Sequence, residues 1–100
     1  MFYLRLFILR APKSSAGWFY LGRTYLSAGK FKRALNSFNE SLELKPDFAP
    51  ALAYKGYSLL RSGNAFSAVE NLGQAVELEP ENSRIYNMYM NSIYILSVQE

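Results

Sequence analysis

Thirty-four residues separate LELKP at residues 42–46 from VELEP at residues 76–80, and the echo extends well beyond those positions. Laid without a gap on residues 49–82, residues 15–48 give identities at Tyr20/Tyr54, Gly22/Gly56, Leu26/Leu60, Gly29/Gly63, Ala34/Ala68, Glu43/Glu77, Leu44/Leu78 and Pro46/Pro80. Large apolar residues also face one another: Trp18 with Leu52, Tyr25 with Leu59, Phe38 with Leu72. A fixed period of this length constrains the fold strongly. Each unit is too small to bury its own apolar face and must stack on its neighbours.

The punctuation inside a unit has a physical logic. Trp18, Leu21, Tyr25 and Leu26 recur at helical spacing, as do Leu35, Phe38, Leu42 and Leu44 after a break at Gly29. Gly29 and Gly63 stand where a first helix must end and the chain must turn, since Gly takes positive φ freely. Pro46 and Pro80 end the second helix, because Pro lacks the donor and disfavours helix at its predecessor. Gly22, in mid-helix, costs about 1 kcal/mol relative to Ala. That cost is explained if another helix approaches closely there, with Ala34 the expected contact. Each unit therefore reads as a helix–turn–helix.

The residues Trp18, Leu21, Gly22, Tyr25, Ala34, Phe38, Ser41 and Pro46 resemble the signature of the tetratricopeptide repeat. In the second copy Leu52, Lys55, Gly56, Leu59, Ala68, Leu72, Ala75 and Pro80 take those places. Lys55 departs from the family's apolar residue and is expected to extend its ammonium to water. The resemblance implies an all-α fold, a right-handed solenoid of helical hairpins with about three units. One period before Pro46 lies Pro12, so residues 1–12 fill the place of a preceding second helix. There Leu4 takes the slot of Phe38, while Phe7 and Arg10 depart from the family. One period after Leu52 lies Tyr86, which places a further first helix over residues 83–98, with Met90 at the glycine slot. The expected organisation is thus 1–12, 15–48, 49–82 and 83–100, six helices that begin and end in mid-repeat.

Composition narrows function. The chain has no Cys and no His, which removes thiolate nucleophiles, sulfur-ligated zinc, the commonest general base and any Ser-His-Asp triad. Glu40 with Glu43, and Glu77 with Glu79, lie late in second helices, where the resemblance implies an outer, solvated face. No phosphate-binding glycine loop or metal-ligand cluster is present in the sequence. The expectation is a non-enzymatic protein without cofactor or metal.

In the tetratricopeptide family, first-helix positions not needed for the core line a concave groove that binds peptides or partner helices. The resemblance places Phe19, Tyr20, Arg23, Tyr54, Tyr57, Met88 and Asn91 there. Aromatics, Met and Arg are the types that dominate interface energetics. The competing reading is that Tyr20 and Tyr54 fill space between neighbouring first helices. One family subset clamps the terminal carboxylate of chaperone tails with Lys, Asn and Arg; Phe19, Arg23, Tyr54, Arg84 and Met88 occupy those positions. Only the arginines match in chemistry, and the chain departs from that subset.

Residues 1–33 carry seven bases and no acid, whereas residues 34–100 carry four bases and all eight acids. Such asymmetry suits either a dipolar domain with solvated charges or an anionic partner at the basic end. No aromatic-spaced RNA motif or basic recognition helix accompanies it, which argues against nucleic acid. Both end segments, MFYLRLFIL and RIYNMYMNSIYILSV, are apolar on nearly every face. They suit an excerpt of a longer array, self-association into a homo-oligomer, or contact with a lipid interface. Neither segment reads as a membrane span or an export signal, so the expected location is cytoplasmic.

Overall fold

Gly29 and Gly63 carry φ of 76° and 93°, and each closes a helix end of the same design. Lys30 N donates to Tyr25 O at 2.9 Å and Gly29 N to Leu26 O at 3.0 Å. One period later Asn64 N donates to Leu59 O at 2.8 Å and Gly63 N to Leu60 O at 3.1 Å. This is the paired-carbonyl stop that a left-handed residue after a helix makes available. The computed structural model describes residues 14–99. They form α1 (Ser15–Ser27), α2 (Phe31–Leu44), α3 (Ala49–Arg61), α4 (Ala65–Leu78) and α5 (Ser83–Gln99). The helix expected over residues 1–10, with Leu4 in the Phe38 slot, lies outside the described residues.

The prolines act as expected. Phe48 N donates to Lys45 O, and Asn82 N to Glu79 O, both at 3.1 Å, so each proline sits second in a four-residue turn. Helix starts vary between units. Ser14 Oγ accepts from Gly17 N at 3.1 Å, and Asn82 Oδ1 accepts from Ile85 N at 3.2 Å. In the same slot of the middle unit stands Phe48, which cannot cap but sets its ring 5.4 Å from that of Phe19. There aromatic packing replaces a cap typically worth about 1 kcal/mol.

Helices α1 and α2 pack as one hairpin, α3 and α4 as the next, and α2 and α4 bridge to α3 and α5. The first helices α1, α3 and α5 also touch in sequence, forming one layer. The core has two centres. One gathers Phe19, Leu21, Tyr25, Leu26, Ala34, Phe38 and Ala51; the other gathers Ala49, Leu52, Ala53, Leu72, Ala75 and Ile85, with Leu42 against both. Between α1 and α2, the Ser41 hydroxyl donates to the Ser15 carbonyl at 2.8 Å, with the two hydroxyls also 2.8 Å apart. Its counterpart one period on is purely apolar, Ala49 and Ala75.

Three expectations are corrected. The group that meets Gly22 is Phe38, whose ring atoms would lie 2.6 Å from an added Cβ, and not Ala34. Leu72 and the Ala68 carbonyl hold the same place at Gly56. Tyr86, in the slot that Trp18 and Leu52 fill and that helical spacing would bury, is 48% exposed because no described helix packs on that side of α5. Leu44 and its repeat mate Leu78 are exposed as well, lying at the last turns of α2 and α4. Trp18 is half-buried against the first centre.

Candidate functional site

The layer of first helices carries a chemistry distinct from the rest. Helices α1, α3 and α5 contain Arg23, Lys55, Arg61 and Arg84 and not one acid. The acids among the described residues lie on α2, on α4 or in the turns that follow them. Charge is therefore sorted by layer of the solenoid as well as along the chain.

Two hollows lie between the helices of this layer. One, about 310 Å³, lies between α1 and α3 and is lined by Arg23, Leu26, Ser27, Gly29, Tyr54, Tyr57 and Arg61. The other, about 210 Å³, reaches α5 and is lined by Phe19, Arg23, Pro50, Ala53, Tyr54, Asn82, Arg84, Ile85 and Met88. Arg23 and Tyr54 belong to both and join them into one recess. Tyr54 is held from beneath, its ring 5.5 Å from Phe19 and 6.3 Å from Phe38. The Arg23 guanidinium lies over it at 4.9 Å, and Arg84 Nη1 donates to its hydroxyl at 3.5 Å. Arg61 lies 5.4 Å from the Phe31 ring and 5.7 Å from the Tyr57 ring, and donates to the Tyr57 hydroxyl at 3.1 Å. Among the described residues, no carboxylate pairs with Arg23, Arg61 or Arg84.

The expected site residues divide. Arg23, Tyr54, Tyr57 and Met88 line the recess. Phe19 is 5% exposed and touches four other aromatic rings, so it is the floor of the recess and a hub of the core. Tyr20 is 51% exposed and borders a separate shallow hollow with Arg23, Thr24 and Ser27. Asn91 is exposed and lines neither hollow. Arg61 was not among the expected residues. Its signal was available, since positions 54, 57 and 61 share one helix face at spacings of three and four.

Residues 15–48 match the family model of the tetratricopeptide repeat. A DnaJ homolog subfamily C member 7 homolog of Schizosaccharomyces pombe is 26% identical over 85% of this chain, which spans 21% of that relative's length. Among solved structures, the first tetratricopeptide domain of Spaghetti (RPAP3), bound to the HSP90 peptide SRMEEVD, shares the fold. It has a TM-score of 0.81 at 20% identity, over 86% of this chain and 68% of that one. The Yersinia enterocolitica type III secretion chaperone SycD, in complex with a peptide of the translocator YopD, also has a TM-score of 0.81. Identity there is 16%, over 91% of this chain and 75% of the other.

Proposed function

We infer that the chain, whose residues 15–48 match the tetratricopeptide-repeat model and which shares that fold, is a non-enzymatic protein-interaction scaffold whose first-helix recess holds a peptide or partner helix. One observation carries the reading: two hollows share Arg23 and Tyr54, and Tyr57, Arg61, Arg84 and Met88 extend the same surface. Tyr, Arg and Met are the types enriched where interfaces take most of their energy. Relatives of the same fold solved with an HSP90 peptide and with a YopD peptide support it. Tyr20 and Asn91, which line neither hollow, belong to this reading as exposed residues of the same first-helix layer, and Phe19 as the floor. A cytoplasmic location is part of the proposal.

The test separates groove from core. Tyr54→Ala and Tyr57→Ala should each weaken binding of a peptide selected against the intact chain by roughly thirtyfold, the equivalent of about 2 kcal/mol. Phe38→Ala should instead lower stability by about 3–5 kcal/mol and lose binding only as a consequence. Thermal unfolding measured beside binding for each variant distinguishes the two. If the tyrosine variants fold and bind as the parent does, the recess is not the binding surface.

A second reading, self-association, has its own observation. Tyr86, Met90, Tyr94 and Val98 lie four apart on α5 and all are exposed.

A further inference from the structure

We propose that the bare row of α5 is covered by residues 1–12 of a second copy of this chain, so that copies join head to tail. The proposal rests on the self-association reading and names what covers the row. Tyr86, Met90 and Tyr94 stand two periods after Trp18, Gly22 and Leu26, on the side of a first helix that its own second helix covers. On α1 that cover is α2, whose Phe38 meets Gly22. On α5 the same side is exposed, from 44% at Met90 to 66% at Tyr94. Residues 1–12 carry the complementary register. Tyr3, Leu4 and Phe7 stand one period before Ser37, Phe38 and Ser41, all buried on α2. Arg5 and Arg10 stand one period before Asn39 and Leu44, which are exposed there. Leu6 and Leu9 likewise fall at exposed slots and take no part in the contact. Leu4 is thus the counterpart of Met90, as Phe38 is of Gly22.

Size, length and charge fit the same occupant. Met90 holds a covering helix further off than α2 stands from α1, and a wider gap needs bulkier side chains to fill it. Phe7 supplies that bulk in the slot of the small Ser41, whose hydroxyl meets the Ser15 carbonyl. Twelve residues wound as a helix cover about 18 Å, and Tyr86 to Val98 span about the same length. Neither Tyr3, Leu4 and Phe7 nor the α5 row includes a charge, so no ion loses its hydration on docking. The chain's own segment runs into Ser14 at the start of α1, and α1 makes no contact with α5, which points to a second copy. A contact between two different surfaces leaves one of each free at the ends, so the assembly grows instead of closing as a pair.

The experiment is sedimentation velocity on the whole chain in three forms: the parent, Leu4→Glu with Phe7→Glu, and Met90→Glu with Tyr94→Glu. The parent should grow with concentration, and each variant alone should stay monomeric, with circular dichroism confirming that it is folded. Mixed in equal amounts, the two variants should form a species of twice the monomer mass and nothing larger. The first keeps its α5 row and the second keeps its segment, so one contact forms and both ends are then dead. Because the chain has no Cys, Leu4→Cys and Met90→Cys give a second measurement that adds no charge. Mixed under oxidation, they should form a disulfide-linked pair faster than either does alone. A Leu4/Phe7 variant that associates as the parent does, or faster linkage in Met90→Cys alone than in the mixture, would overturn the occupant while leaving self-association standing. A parent that stays monomeric would overturn the self-association reading and the proposal with it.

Discussion

A Cβ on Gly22 would stand 2.6 Å from the Phe38 ring, and one on Gly56 would stand 2.8 Å from Leu72 Cγ and 3.1 Å from the Ala68 carbonyl oxygen. Both glycines are therefore spacers between the helices of a hairpin, and neither needs an unusual backbone. Gly22→Ala should destabilise the fold by about 1–3 kcal/mol, the usual cost of overpacking. Phe38→Leu introduced with it should recover part of that loss by removing the far ring atoms. Gly56→Ala should be harder to relieve, since backbone cannot be trimmed. Urea denaturation of the single and paired variants tests this; a Gly22→Ala curve that overlays the parent would mean that the ring moves aside freely. That a close approach occurs at these glycines is legible in their spacing. That Phe38 makes it, and Ala34 does not, depends on how far one helix slides along the other, and positions 34 and 38 share a helix face.

Helix α5 shows how an element can be legible in kind and misjudged in burial. Its Tyr86, Met90 and Tyr94 occupy the slots that Trp18, Gly22 and Leu26 fill on α1, the face that packs on α2. Periodicity names the face correctly, but burial requires a neighbour, and among the described residues nothing lies against this one. Met90 adds a constraint. Any helix covering the row must stand further off than α2 does at Gly22, because the slot that admits close approach is filled. The bare row should make the chain associate as concentration rises, seen as a growing sedimentation coefficient. Met90→Glu combined with Tyr94→Glu should abolish that growth while changing stability by no more than about 0.5 kcal/mol, as expected for exposed positions. A parent chain that stays monomeric at high concentration would remove the self-association reading.

Over the whole molecule, the sequence reads as a basic first third and an acidic remainder, whereas the fold redistributes charge between layers. Alternation of first and second helices explains the change: Arg61 and Arg84 lie far from Arg23 in sequence yet share its surface. Tyr54, Tyr57, Arg23 and Met88 were legible as recess residues because their slots recur with the period. Phe19 was legible with them, but its burial as the floor was not, since the same slot holds Ala53 on α3 and the packing of rings across α1 and α3 draws Phe19 inward. Helix α3 touches all four other described helices, whereas α5 touches only α3 and α4. In α5 just Ile85 and Ser92 are buried among seventeen residues, against six of thirteen in α3. A solenoid held by nearest neighbours does not have to open all at once. Amide hydrogen exchange should therefore run fastest in α5 and slowest in α3; uniform protection across both would show a single cooperative unit. The wall of the recess that carries Arg84 and Met88 is thus also the part that frays first. An occupant bridging α3 and α5 would work as a latch, slowing the fraying of the very helix it grips.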